Sequence, residues 1–199
     1  ITGNPIVDKA TIKYLGETQN KWKGGINQTF SYKGLKLTVQ IDGAFGGHAY
    51  SNSQSILSMT GKLTNTLEGR YDGIIGDGYF YDAVTGEYFK NKTVTESVSY
   101  YYDQWYAREN VEANIYSTSY IKLREARIEY SLPKKLLSKT KFISGVSFAA
   151  YGRNLAMWTN WPIYDPEVAC LDGSNITTGL EAAAFPMTRS FGFNIKLIF

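Results

Sequence analysis

The last nine residues of the chain, FGFNIKLIF (residues 191–199), alternate almost strictly between apolar and other side chains. In an extended chain one side carries the apolar residues Phe191, Phe193, Ile195, Leu197 and Phe199. The other side carries Gly192, Asn194 and Lys196, and Ile198 is the one apolar exception. Because successive side chains of a strand point to opposite faces, this pattern predicts a strand near residues 187–199 with one apolar face.

Two adjacent stretches show the same alternation: GINQTFSY (residues 25–32) and LKLTVQID (residues 35–42). They predict strands near residues 25–32 and 35–45, joined by a tight turn at Lys33-Gly34. The second stretch alternates most cleanly, with one face formed by Leu35, Leu37, Val39 and Ile41. The two strands are therefore predicted to form a hairpin with one apolar and one polar face.

A longer stretch, YIKLREARIEYSL (residues 120–132), alternates with a break. Ile121 and Leu123 share one face, whereas the following apolar residues from Ala126 onward are shifted by one position. A β-bulge near Arg124 and Glu125 restores a common apolar face, because a bulge adds one residue to one strand only. We therefore predict one bulged strand near residues 118–132.

The stretch FISGVSFAAYGR (residues 142–153) alternates again and predicts a strand near residues 142–153. The five predicted strands are joined by connections that are alternately short and long. The long connections are predicted loops near residues 46–117 and 154–186. Within the first loop, near-helical spacing predicts a short helix at about residues 54–68, with Ser53 as its N-cap.

Composition narrows the classes of protein that fit. The chain has 199 residues, a net charge of +3 and one cysteine, so neither nucleic-acid binding nor an internal disulfide is predicted. The longest apolar runs are far shorter than the roughly 20 residues of a membrane-spanning helix. The first ten residues, ITGNPIVDKA, lack the features of a signal peptide, so we expect a mature piece or a fragment of a longer protein.

Two architectures remain. Outer-membrane β-barrels have short turns at one end and long loops at the other, as predicted here. A soluble, secreted β-rich module that binds carbohydrate or mediates adhesion is the alternative, although soluble sandwiches usually have short to medium turns at both ends. The two differ at Leu35, Leu37, Val39 and Ile41, which face a packed core in a soluble module and lipid or detergent in a barrel.

Five segments together resemble the late barrel region of SusC/RagA-type TonB-dependent transporters, and they occur in the family's order. They are NKWKGGINQTFSYKGLKLTVQIDGAFGG (residues 20–47), TLEGRYDGIIGDG (residues 66–78), YSTSYIKLREARIEYSLPKKLL (residues 116–137), YGRNLAMWTNWPIYDPEV (residues 151–168) and FPMTRSFGFNIKLIF (residues 185–199). The resemblance implies an all-β fold, in which the chain forms the last strands of a barrel of about 22 strands. The five strands cannot close such a barrel alone, and the chain has no plug domain.

The resemblance also implies a function and partners. Such a protein lies in the cell outer membrane and imports oligosaccharides or peptides, with energy supplied by TonB through the plug. A SusD-like surface lipoprotein covers its extracellular mouth. The expected partners are therefore this lipoprotein, the rest of the barrel and plug, TonB, the substrate and outer-membrane lipid. The terminal Phe199 resembles the signal that barrel-assembly machinery reads.

Candidate functional residues follow from the predicted topology. Aromatic side chains in the predicted extracellular loops are candidates for contact with substrate or lid: Tyr101, Trp105, Trp158, Trp161 and Tyr164. Charged side chains on the polar strand faces are predicted to face the lumen: Lys122, Arg127, Glu129 and Arg153. The only histidine, His48, has no neighbouring His or Cys in the sequence, so neither a catalytic site nor a metal site is predicted. No cofactor and no enzymatic activity are expected.

Overall fold

The computed structural model describes residues 2–8, 10–95, 97–138, 142–167, 169–172, 175–183 and 185–199. Parts of the predicted connections therefore lie outside the described residues, namely residues 96, 139–141, 168, 173, 174 and 184. In chain order the strands are β1 (Trp22–Tyr32), β2 (Leu35–Phe45), β3 (His48–Ser51), β4 (Tyr79–Asp82), β5 (Glu87–Lys90), β6 (Ile115–Ser117), β7 (Tyr120–Ser131), β8 (Gly145–Thr159), β9 (Ala169–Asp172), β10 (Asn175–Thr178), β11 (Leu180–Glu181) and β12 (Ser190–Ile198). The helices are α1 (Asn52–Met59), α2 (Val98–Trp105) and α3 (Lys134–Leu137), and two 3₁₀ turns span Thr64–Thr66 and Val111–Asn114.

Five long strands form one antiparallel sheet in the order β1-β2-β7-β8-β12. Their order in the sheet is also their order along the chain, as in an up-and-down barrel wall. The register keeps like faces together: Phe30 lies opposite Leu37, and the Thr29 and Thr38 hydroxyls lie 3.1 Å apart. The predicted fold of antiparallel strands is therefore confirmed.

The turn between β1 and β2 has the conformation that its sequence demands. Lys33 and Gly34 have φ angles of 44° and 85°. Positive φ at both central residues defines the tight hairpin turn whose twist matches that of paired strands. The predicted turn at Lys33-Gly34 is confirmed, and it fixes the register of the first two strands.

The predicted bulge is also present. The pairing of β7 with β2 and with β8 skips Arg124, so that Leu123 and Glu125 pair with adjacent positions of β2. On β8 the skip falls at Asn154 and Leu155, and Asn154 has a φ of 51°. Ile121, Leu123, Ala126 and Ile128 thereby share one face, and the extra residue Arg124 is free to reach across the polar face.

The apolar face of this sheet is uncovered in the chain. Leu35, Leu37 and Ile41 keep 41%, 39% and 42% of their surface exposed, so they do not pack in a core, whereas Val39 between them is half-buried. These values favour the barrel over the soluble module.

The chain divides into two compact units. Residues 17–48, 117–167 and 185–199 form the wall unit, which contains the five-stranded sheet. Residues 1–16, 49–116 and 168–184 form the loop unit. Small elements build the loop unit: α1, α2, the hairpins β4–β5 and β9–β10, and a sheet in the order β11-β3-β6. Among the described residues, no helix is long and apolar enough to cross a membrane.

The first helix is shorter than predicted and begins earlier. It spans Asn52–Met59 rather than residues 54–68, and its N-cap is Ser51 rather than Ser53, because the Ser51 side chain accepts from the Gln54 N–H. It ends where Gly61 has a φ of 69° and the Lys62 N–H bonds to the Leu57 carbonyl at 2.7 Å. A glycine with positive φ is a common way to end a helix. The helix therefore stops here, although the near-helical spacing of apolar residues continues beyond this point.

The eighth strand also departs from its predicted bounds. It begins at Gly145 and continues to Thr159, past the predicted end at residue 153. It therefore contains Trp158, which the sequence had placed in the following loop. The positive φ of Asn154 lets the strand bulge and continue past its predicted end.

The environment of the two sheet faces can be tested with neighbouring arginines in β2. Val39→Arg places a charge on the apolar face, and Gln40→Arg places it on the polar face beside Glu125. In a bilayer Val39→Arg is expected to cost about 2–4 kcal/mol near the midplane, and Gln40→Arg close to nothing. The measurement is the amount of correctly assembled, heat-modifiable protein in outer membranes. Equal losses for both variants would contradict a lipid-facing apolar side.

Candidate functional site

Six polar side chains of the wall unit lie within hydrogen-bonding distance of one another. Two strands and the following loop position them: β2 near its end, β7 near its beginning, and residues 165–167. We call this group the polar cluster, and its members are Asp42, Tyr120, Lys122, Arg124, Asp165 and Glu167. The cluster joins the loop that follows β8 to the wall of the sheet.

Lys122 is the buried cation of the polar cluster. Its side chain is only 4% exposed, and its Nζ lies 2.6 Å from both carboxylate oxygens of Asp165. A second carboxylate, that of Glu167, accepts from the same ammonium group. The ammonium also lies 4.8 Å from the centre of the Tyr120 ring. Burial of a cation is costly unless it is paired, so these partners are what allow Lys122 to occupy this position.

Arg124 is the bulge residue, and its guanidinium bridges β2 to the loop. Its Nη2 lies 2.8 Å from one oxygen of Asp42, and its Nε contacts the other, so the pair is bidentate. The same Nη2 donates to Glu167. The planar guanidinium suits this arrangement, because its fixed fork of N–H groups matches a carboxylate on one side and leaves donors for a second.

The Glu167 carboxylate accepts hydrogen bonds from three side chains. The Tyr120 hydroxyl donates to its Oε1 at 2.8 Å, and Lys122 and Arg124 also donate to its carboxylate. Partial burial raises the pKa of Glu167, but hydrogen bonds from Arg124, Lys122 and Tyr120 outweigh it and hold the pKa at about 2. The carboxylate is thus ionised at any physiological pH. A hydrogen bond within residues 165–167 also stabilises the turn that carries this carboxylate: the Glu167 N–H donates to the Asp165 side chain at 2.9 Å.

Further charged pairs follow the polar face of the sheet. Arg127 bonds to Glu129 at 2.8 Å on the same strand, and Arg153 bonds to Glu125 across strands at 2.9 Å. Together with Lys122, the register places these side chains on the face opposite the exposed apolar one. Their orientation to a barrel lumen stays a prediction. Among the described residues, no group of three or more His, Cys, Asp and Glu side chains is arranged to hold a metal ion.

Two of the five predicted aromatic contact residues lie together on α2. The rings of Tyr101 and Trp105 are nearly parallel, at 2°, with centres 6.4 Å apart. Trp105 is 43% exposed, while Tyr101 is half-buried, and burial raises the pKa of its hydroxyl so that it stays protonated. The neighbouring Tyr102 anchors the helix, because it is buried and donates to the Glu68 carbonyl at 3.0 Å.

The other three belong to the wall unit and have different surroundings. Trp158 lies in β8 opposite Ile121, on the apolar face, and is 60% exposed. Trp161 is buried, with 6% exposure, and its backbone N–H donates to Thr159. Tyr164 is 43% exposed and has a φ of 60° in the turn before Asp165. The structure thus brings Tyr101 and Trp105 together on one helix, and it corrects the loop position predicted for Trp158.

Sequence reasoning did not single out four members of the polar cluster as site residues: Asp42, Tyr120, Asp165 and Glu167. Asp42 ends the polar face of an alternating strand, and Tyr120 begins the next one, so each had the appearance of an ordinary wall residue. The signal that was available is the charge pattern. An acidic residue at the end of one strand and basic residues at the start of the neighbouring strand meet at the same edge of an antiparallel pair.

Comparisons with known proteins agree with this geometry. No protein-family model matches the chain. In sequence, the chain is 24% identical over 202 residues to the TonB-dependent receptor P3 of Formosa agariphila, an alignment that covers 98% of this chain and 18% of the receptor. It is also 24% identical over 185 residues to the TonB-dependent receptor P39 of the same organism, covering 92% and 17%. The chain therefore spans less than one fifth of these relatives.

In structure, the chain is similar to the RagAB peptide importer. The closed-closed state gives a TM-score of 0.64 at 17% identity, covering 93% of this chain and 18% of the importer chain. The open-open state gives 0.59 at 16% identity, covering 89% and 17%. The likeness shows that the sheet has the fold of a segment of these barrels. Together with the sequence relatives, this likeness confirms the recognition of a SusC/RagA-type, TonB-linked transporter segment and its location in the outer membrane.

Because Lys122 is buried and Arg153 is exposed, we expect replacement of Lys122 by methionine to destabilise the barrel much more than the same replacement of Arg153. Lys122→Met leaves Asp165 and Glu167 without their shared cation, and it is expected to cost about 3–5 kcal/mol. Arg153→Met removes an exposed pair on the same face, and it is expected to cost about 0–1 kcal/mol. The measurement is the temperature at which the assembled barrel unfolds in detergent. Similar shifts for both variants would show that the polar cluster contributes no more than a surface pair.

We expect acid to weaken the attachment of the loop after β8 to the wall, because this attachment uses the carboxylate of Glu167. The pKa of Glu167 is lowered from 4.5 to about 2 in the folded chain. Its contribution to stability is therefore complete above the unfolded pKa and is lost as the pH falls from about 5 to 2, an effect of about 2–3 kcal/mol. Glu167→Gln should remove this part of the acid dependence, as measured by unfolding temperature against pH. Identical pH profiles for the variant and the parent protein would contradict the prediction.

Proposed function

We propose that this chain forms part of the wall and two extracellular loops of an outer-membrane, TonB-dependent importer of oligosaccharides or peptides. The observation that carries the proposal is the two-sided sheet. One face is apolar and exposed, as at Leu37 and Ile128, and the other carries paired charges. A wall between lipid and a watery lumen requires this division.

The remaining parts of such an importer complete the wall. The sheet has two edge strands, β1 and β12, whose outer backbone groups need partners within a bilayer. In the proposal, further strands of the same transporter pair with both edges. A plug fills the lumen and receives energy from TonB.

The loop unit supplies the binding surface in this proposal. The Tyr101–Trp105 pair presents an exposed aromatic ring beside a half-buried one, a surface suited to a sugar ring or an apolar peptide side chain. The RagAB neighbour is a peptide importer by name, which favours peptides. A SusD-like lipoprotein is the proposed lid over these loops, and two-component RagAB assemblies support that kind of partner.

Uptake by living cells tests the proposal. Cells carrying the full-length transporter are given labelled oligopeptides or labelled oligosaccharides, with and without an uncoupler of the proton gradient. We expect uptake of one class, and its loss with the uncoupler. Uptake that is indifferent to the uncoupler, or transporter recovered as soluble protein, would contradict the proposal.

Two exposed tryptophans give a matched pair for the binding surface. Trp105→Ala is expected to lower the uptake of limiting substrate about tenfold, because it removes about 1.4 kcal/mol of stacking and apolar contact. Trp158→Ala, on the apolar face of the sheet, is expected to leave uptake unchanged once the amount of assembled protein is matched. Equal effects of the two changes would argue against a substrate role for Trp105.

A further inference from the structure

Glu181 is a carboxylate buried inside the loop unit. Only 1% of its surface is exposed. It lies in β11, which pairs with β3 over two residues only, Leu180 with Tyr50 and Glu181 with Ser51. One flanking backbone bond, from the Tyr50 N–H to the Gly179 carbonyl, measures 2.9 Å. In the described part of the second long loop, this strand pairing with the first loop is therefore short.

The carboxylate of Glu181 accepts hydrogen bonds from Ser51 and Ser53 at this place. Its Oε2 accepts from the Ser51 hydroxyl at 3.0 Å and from the Ser53 N–H at 2.9 Å, and its Oε1 accepts from the Ser53 hydroxyl at 2.6 Å. Hydrogen bonds to a charged acceptor are roughly twice as strong as neutral ones. The side chain of one residue therefore contributes more to this attachment than the backbone pairing does.

These donors are the first groups of helix α1. The N-cap Ser51 accepts from the Gln54 N–H and at the same time donates its own proton to Glu181. Glu181 itself accepts from the next free N–H of the helix, that of Ser53. The first turn of α1, all of whose residues are described, has no acidic side chain of its own. The negative charge that favours a helix N-terminus comes from a residue 128 positions away from Ser53.

Helix α1 is in turn hydrogen-bonded to the end of helix α2. The Ser55 hydroxyl, one turn further along α1, donates to the Tyr106 carbonyl at 2.7 Å. Tyr106 is the C-cap of α2, the helix that carries Tyr101 and Trp105. A continuous set of hydrogen bonds thus runs from the second loop through α1 to the end of α2.

We infer that Glu181 is a latch that fastens the second long loop to the N-terminus of α1, so that both loops keep one arrangement and α2 keeps its position. Loss of the latch frees the segment around residue 181 and frays the start of α1 together. The inference concerns the loop unit alone, and it does not depend on what the protein transports.

Hydrogen–deuterium exchange on the purified full-length protein in detergent tests the latch. Glu181→Gln keeps the shape of the side chain but removes its charge and one acceptor. We expect exchange to accelerate about tenfold in two peptides at once, one covering residues 48–56 and one covering residues 177–183. The control, Glu87→Gln, changes an exposed carboxylate of the β4–β5 hairpin and should leave both peptides unchanged.

Peptides of β2 and β7 report separately whether the wall remains folded. If Glu181→Gln prevents folding, Ser53→Ala decides the question, because it removes one donor and leaves the carboxylate; a smaller acceleration in the same two peptides then supports the latch. Acceleration in only one of the two peptides, or in neither, would overturn it. Since no transport is measured, a failure of the latch cannot be confused with a failure of the proposed function.

Discussion

The structure depends on one constraint, which is that the strands of the wall must show an apolar side to one environment and a polar side to another. Residues with a period of two meet this constraint, and the register preserves it across all five strands. The bulge at Arg124 shows that this separation of the two faces is strictly kept. The apolar pattern of β7 slips by one residue, and the chain inserts a bulge at that residue instead of turning apolar side chains to the polar face.

The bulge also places Arg124 where it makes polar contacts with two neighbouring elements. A residue that is skipped by the pairing on both sides is free to bridge neighbouring elements, and Arg124 uses this freedom to join Asp42 to Glu167. Beside it, Lys122 is buried between two carboxylates of the same turn. The loop that follows β8 is thus attached to the wall by charge-assisted bonds.

Local rules explain which parts of the structure the sequence could predict. The strands, the Lys33-Gly34 turn and the bulge depend on neighbours along the chain or on the adjacent strand, so alternation and turn chemistry reveal them. The loop unit depends on distant contacts. Glu181 caps a helix that begins at Asn52. Neither the sequence around Glu181 nor the sequence around Asn52 contains a local pattern that predicts this contact. The helix α1 was predicted too long for a related reason, because Gly61 stops it while the apolar spacing continues. Trp158 was misplaced because Asn154 lets β8 bulge and continue.

The central claim is that the uncovered apolar face belongs in the outer membrane as part of a larger barrel. The most direct measurement is the migration of unheated and heated outer membranes on a gel, probed with an antibody against residues 116–137. The account predicts a heat-modifiable species far larger than this chain alone, extracted only with detergent. A soluble species that needs no detergent and migrates identically with and without heating would contradict it.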